Sequence, residues 1–249
     1  GSSTFNRLVN DTSRNNGNFG FYVYASSNSN LILNSQSYNN SEGFHVSQQS
    51  LRVNLTGNTA YNNTNHGIFL DAVNSTSVFN NTVYGHRYGL FLYAALFSNI
   101  DQNNISANAN GTYLFGSNSN NITNNLITGN SFYGIRFDTS SNNRLIGNNA
   151  SNNGQAGFYL SNSTFNTFQG NFADSNTITG TGFNLLSGSN SNNFTNNTAN
   201  SNAYGFWLVG SSNNLINLNT ANSNPVTGIR LEYSSDSNLV DSNRVASSL

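Results

Sequence analysis

The sequence predicts an all-β chain, a right-handed parallel β-helix of about ten coils with 22–25 residues and three short strands per coil. Three observations carry that expectation. Glycines recur at near-constant spacing, apolar residues alternate at period two after each glycine, and asparagines recur at fixed offsets within each unit. Self-similarity at such a period is the mark of a repeat architecture in which each unit packs on its neighbours.

The glycines that open the units are Gly20, Gly43, Gly67, Gly89, Gly111, Gly134, Gly157, Gly182, Gly205 and Gly228. A partial unit, Leu8 to Asn16, leads into the first. No linker or shift of composition breaks the series, so one domain is expected over residues 1–249. Each glycine starts a first strand of the form Gly-Φ-x-Φ, where Φ is apolar, as in Phe44/Val46, Leu90/Leu92 and Phe206/Leu208. Alternation at period two specifies strand rather than helix. A second strand is anchored by Leu55, Val78, Ile100, Ile122, Leu145, Phe168, Phe194, Ile216 and Leu239. A third is anchored by Ala60, Val83, Ile105, Ile127, Ala150, Ala173, Ala199 and Ala221.

Asparagine is the commonest residue. It lies three residues past each second anchor, at Asn34, Asn58, Asn81, Asn103, Asn125, Asn148, Asn171, Asn197 and Asn219. It lies eight past at Asn39, Asn63, Asn108, Asn130, Asn153, Asn176, Asn202 and Asn224, with His86 in one slot. Asparagine tolerates a left-handed bend, and its amide can pair with the same amide one coil away to form a ladder. Both sets are therefore expected to be structural. The last coil reads Ser242 at the ladder offset, so the ladder is expected to lapse there. Sequons for N-glycosylation are no commoner than composition predicts, and they carry little weight.

The unit pattern GI-x-L…N-x-L-x-x-N-x-A-x-x-N, with Gly134–Asn153 as its clearest copy, resembles the parallel β-helix repeats of the NosD-like family. That family is common among bacterial periplasmic and archaeal cell-surface proteins. The resemblance covers essentially the whole chain and implies a right-handed coil, as parallel crossovers generally favour. It implies little about function, because β-helices host lyases, hydrolases, adhesins and passive scaffolds. The family's copper label transfers to no residue, since no matching ligand set is visible.

Charge excludes several function classes. The net charge is −1 and all eight basic residues are arginine, so there is no footprint for nucleic acid or anionic lipid. No apolar run is long enough to span a membrane. Cysteine and methionine are absent, which removes disulfides and thiolate metal sites. His45, His66 and His86 fall in different columns, so neither a metal site nor a cofactor is expected. On the first strand Asp71, Asp138 and Glu232 point outward. Asp71 and Asp138 lie three coils apart, roughly 14 Å at ~4.8 Å per coil. Arg136/Asp138 and Arg230/Glu232 read as surface ion pairs. No catalytic residue is assigned, and the chain is expected not to be an enzyme.

One feature exceeds what the fold needs. The outward positions of the first strand carry Tyr22, Phe69, Phe91, Tyr93, Tyr113, Phe115, Tyr159 and Trp207, a long aromatic strip of the kind that marks an interface. Neither end of the repeat series carries a capping helix, which favours end-to-end stacking. The leading expectation is thus a structural, extracellular cell-surface or sheath-type solenoid that associates with itself or with other surface proteins. The alternative is a carbohydrate-binding module that uses the aromatics as glycan platforms, and a polysaccharide lyase or hydrolase ranks third.

Overall fold

The computed structural model describes residues 2–177 and 180–246. Leu249, where a bare end is expected from the sequence, lies outside them. The described chain is a right-handed parallel β-helix built from three sheets. Its strands are three to six residues long, and every pairing between them is parallel and in register with the next coil.

The ten-stranded sheet runs from Phe19–Val23 to Thr227–Glu232 and is made by the strands that carry the repeat glycines. The eleven-stranded sheet holds the second anchors, from Arg7–Val9 to Leu239–Asp241. The third sheet has six strands, from Thr12–Arg14 to Leu126–Thr128. The repeat pattern predicts three strands in every coil. Beyond residue 128 the third strand instead shrinks to single parallel bridges, through Asn149, Phe172, Thr198 and Thr220. There four alanines follow one another as third anchors, Ala150, Ala173, Ala199 and Ala221, whereas Ala60, which keeps its strand, pairs with Val83 on one side.

The core lies between the three sheets. Leu55, Val78, Ile100, Ile122, Leu145, Phe168, Phe194 and Ile216 are buried, as are all the third anchors from Ala60 to Ala221. Phenylalanines stack along the axis: Phe158, Phe183 and Phe206 sit 4.7 Å apart between successive ring centroids, and Phe168 lies 4.5 Å from Phe194. Such offset pairs add about 0.5–1.5 kcal/mol beyond area burial. The repeat glycines mark where a backbone passes close to the core. A Cβ on Gly111 would come within 2.4 Å of Ile127 and 2.6 Å of the Gly134 carbonyl oxygen.

Asn58, Asn81, Asn103, Asn125, Asn148, Asn171, Asn197 and Asn219 form a hydrogen-bonded ladder. Asn125 Nδ2 donates to Asn148 Oδ1 at 2.9 Å and Asn148 Nδ2 to Asn171 Oδ1 at 3.0 Å, while each amide also donates to a backbone carbonyl. The bend and the ladder fall to adjacent residues. The left-handed residue is the one before: Asn80, Gln102, Asn124, Gly147, Gly170, Asn196 and Leu218 all have positive φ. In the first coils the ladder therefore runs through Ser35 and Asn40 rather than Asn34 and Asn39, which occupy the left-handed bend. At the other end Val240, not Leu239, pairs with Ile216, and Leu239 is exposed. That shift puts Asn243 in the slot assigned to Ser242, so the ladder continues to it.

A third ladder was not foreseen. Asn120, Asn143, Asn166, Asn192, Asn214 and Asn238 link through their amides, two residues before the second anchors. Ser117, Ser140, Ser163 and Ser189 make a fourth column, each of the last three hydroxyls accepting from the backbone N–H of the preceding coil.

Candidate functional site

The ten-stranded sheet has an outer face with three columns of side chains. Two follow from the repeat pattern, headed by Tyr22 and Tyr24. The third stands just before each repeat glycine and holds Phe19, Glu42, His66, Tyr88, Asn110 and Tyr133. Strand pairing skips the glycine, so the residue before it turns outward with the other two columns. Sequence reasoning misses this column because it lies outside the Gly-Φ-x-Φ pattern.

All eight aromatic candidates lie on this face, and most of them spend their ring faces on one another. Phe69 stacks on Phe91 at 5.0 Å and 7°, and Phe91 on Tyr113 at 4.9 Å and 11°. Tyr93 stacks on Phe115 at 5.7 Å, Tyr22 on Phe19, Tyr159 leans on Tyr133, and Trp207 packs on Tyr204. Tyr22, Tyr93 and Phe115 are the most exposed of the eight.

Polar groups gather where the rings are interrupted. Glu42 in one coil meets two imidazoles: its Oε1 lies 3.2 Å from His66 Nδ1, and its Oε2 lies 2.7 Å from His45 Nδ1, the latter too oblique for a hydrogen bond. Asp71 Oδ2 stands 3.8 Å from His45 Nε2. His45 is buried beneath Phe69 and Tyr22. His66 lies over Phe69 and Phe91, and among the described residues its Nε2 makes no hydrogen bond. Burial pushes the Glu42 carboxyl up, but the neighbouring imidazoles, His66 by hydrogen bond and His45 by charge, outweigh it and hold the group down at about 2. The cluster brings Asp71 together with two of the three histidines. His45 and His66 do stand in different columns, but neighbouring columns of adjacent coils touch.

A second cluster centres on Arg136, whose Nη2 donates to Asp138 Oδ2 at 2.6 Å, as does the Tyr113 hydroxyl at 2.6 Å. Burial and the adjacent Asp138 push the Tyr113 hydroxyl well above its ordinary range. Arg230 pairs with Glu232, which also accepts from Trp207 Nε1 at 2.9 Å. His86 is set apart from all of these, in its ladder slot, where burial pushes it down.

Comparison with known proteins gives the scaffold its context. A periplasmic alginate epimerase (AlgG) matches with a TM-score of 0.70 at 20% identity, covering 89% of this chain and 51% of that one. The A-module of a mannuronan C-5 epimerase from Azotobacter vinelandii matches with a TM-score of 0.73 at 13% identity, covering 100% of this chain and 80% of that one. The Dettilon tailspike protein matches with a TM-score of 0.62 at 14% identity, over 96% and 60%. The chain thus spans about half the length of the AlgG epimerase. No curated protein matches it in sequence.

These neighbours correct the expectation that the chain is not an enzyme. The same scaffold carries alginate epimerases, and this chain's outer face holds the grouped acid–base side chains that the expectation assumed were missing. The family model of NosD, described as a periplasmic copper-binding protein, matches residues 2–133 and 127–248. Copper is not fitted by the residues present: the chain has no cysteine or methionine, and among the described residues no three His, Asp or Glu side chains converge as metal ligands. The two overlapping matches take in nearly every residue, and the chain belongs to the NosD family.

Proposed function

We propose that the outer face of the ten-stranded sheet binds a polysaccharide and that the Glu42–His66 pair transfers protons on it. The carrying observation is the pairing of His66 Nδ1 with the ionised Glu42 carboxylate, while Nε2 makes no hydrogen bond among the described residues. A carboxylate at one ring nitrogen fixes the tautomer and stabilises the imidazolium that forms when the other nitrogen takes a proton. Histidine is suited to both halves of such an exchange near neutral pH. His45 and Asp71 complete the charge around Glu42. A parallel coil offers a straight surface whose units repeat at ~4.8 Å, a natural track for an extended sugar chain. The epimerase and tailspike scaffolds support this reading by their architecture.

The test is incubation with neutral and uronic-acid polysaccharides in deuterated water, reading deuterium in the sugar rings, new reducing ends and unsaturated sugars. The parent should give at least one product, and His66→Gln should abolish it. Unchanged polymer with the parent would overturn the proton-transfer role.

A second reading, self-association at an extracellular surface, draws on the same face, where Tyr93 and Phe115 are 43% and 40% exposed. Phe91→Ser combined with Tyr113→Ser should then abolish any concentration-dependent light scattering. Equal scattering from the double variant would remove this reading.

A further inference from the structure

Next to the His66 cluster lies a groove of about 380 Å³ lined by Arg87, Tyr88, Asn110, Phe132, Tyr133 and Arg136, with Ala109 and Gln155 at its edge. It exists because Asn110 interrupts a column of rings. Tyr88 occupies the coil before and Tyr133 the coil after, and the smaller, buried amide leaves a gap between them. Two guanidinium groups border the gap. That of Arg87 lies 5.3 Å from the Tyr88 ring centroid. That of Arg136 is wedged among three tyrosines, 4.9 Å from Tyr113, 5.6 Å from Tyr159 and 5.7 Å from Tyr133.

The charge around the groove is unbalanced. Asp138 engages Arg136 through Nη2 alone, and Arg136 Nε is buried with no hydrogen-bond partner among the described residues. Among the described residues Arg87 has no carboxylate partner. Two cations against one anion leave one positive charge uncompensated. The planar guanidinium fork matches a carboxylate in two-point geometry, and Arg136 is held in place among three rings.

We propose that this groove is a carboxylate-binding subsite, so that the polysaccharide taken by the outer face is an acidic one built from uronic acids. The inference rests on the reading of that face as a polysaccharide track. Asn110 lies two coils from His66, roughly 10 Å at ~4.8 Å per coil. A chain laid along the axis can therefore place a carboxylate between Arg87 and Arg136 while another of its rings rests at His66. The carboxylate holds the chain in register, and His66 acts on a neighbouring unit.

The experiment titrates the protein with short polygalacturonate oligomers and with the same oligomers fully methyl-esterified, which keeps the sugars and removes the charge. Calorimetry should show binding of the acidic oligomers that weakens with added salt, and much weaker binding of the esters. Arg87→Gln, at an exposed position whose side chain makes no hydrogen bond or ion pair among the described residues, should weaken acidic-oligomer binding about tenfold. Arg136→Gln should do so at least as strongly. Arg144→Gln, an exposed arginine on the eleven-stranded sheet away from the groove, should leave binding within about twofold of the parent. Equal affinity for acid and ester, an unaltered affinity in Arg87→Gln, or no binding of the acidic oligomers would each overturn the subsite. The track reading fails separately, when the parent binds neither acidic nor neutral oligomers of any kind.

Discussion

Replacing His86 by asparagine should stabilise the protein, and more so in acid. The histidine sits in a ladder whose neighbours are Asn63 and Asn108. Its Nδ1 lies 2.9 Å from the Asn63 carbonyl oxygen and 3.1 Å from the Asn63 amide nitrogen, and one ring nitrogen cannot serve both. Its Nε2 is buried with no partner among the described residues. An asparagine there would accept from Asn63 as Asn130 accepts from Asn108, at 3.1 Å from both N and Nδ2. Two unmet groups are relieved, each worth about 1–3 kcal/mol. The smaller side chain gives back part of that through lost packing against Gly67, where a Cβ would come within 2.6 Å of His86 Cδ2. A net gain of about 1–2 kcal/mol raises Tm by about 2–8 °C in a chain of this size. The pH term has a definite sign. Burial lowers the folded pKa of His86 below its ordinary 6.5. The unfolded chain therefore binds more protons just below that value, and stability contributed by neutral His86 is lost as pH falls through it. The Tm difference between variant and parent should accordingly widen from about pH 7.5 to about pH 5.5, measured by calorimetry at both. A variant no more stable than the parent, or a difference that stays constant across that range, would refute the account of this slot.

Two further outcomes follow from named contacts. Asn148→Ala should lower Tm more than Asn243→Ala: both amides link to a neighbouring coil, but Asn148 is fully buried whereas Asn243 is half-buried at the last described coil, where water replaces a lost partner. Equal shifts would sink the ladder argument. Glu42→Gln tests the cluster through acid unfolding. A carboxyl held at about 2, against an ordinary 4.5, contributes stability that is present above 4.5 and lost as pH falls toward 2, on the order of 3 kcal/mol. The parent's advantage over the variant in urea titrations should shrink across that window, and a constant advantage would count against the Glu42–histidine pairing.

The coil was readable because its causes are local and repeated. Glycine at the close approach, alternating apolar residues and asparagine at the turns each act within one unit, and the many copies average out the exceptions. The misplacements have one cause. Asparagine serves both the left-handed bend and the ladder, so in Asn39–Asn40 two adjacent residues of one type hide which does which. At Leu239–Val240 two adjacent apolar residues hide the anchor in the same way. The third ladder is visible as Asn-x-Φ in Asn120–Ile122, Asn143–Leu145 and Asn166–Phe168, but offsets counted only downstream of the anchor pass it by. The Glu42 cluster was hidden for a different reason. It joins residues of three columns and two coils, and only the skipped glycine in the strand register shows that the column before the glycine faces the same way.

That register also changes what the aromatic strip can be. Residues that recur in every coil are brought face to face about 5 Å apart, the spacing at which flat rings stack. A column of rings on a parallel coil therefore satisfies itself, and Phe69, Phe91 and Tyr113 stabilise the outer sheet much as Phe158, Phe183 and Phe206 stabilise the inside. A ring already stacked on both sides offers a ligand only its edge, which is a poor sugar platform. On the proposed polysaccharide reading, recognition comes from the places where the column changes residue type. On this face those places include Glu42–His45–His66, Asn110 between Tyr88 and Tyr133, Arg136 between Tyr113 and Tyr159, and Asn184 and Arg230 on either side of Trp207. They lie along the same sheet, the first two separated by the aromatic coil of Tyr88, Phe91 and Tyr93, so the breaks in the repeat, rather than the repeat, bring polar groups to this face.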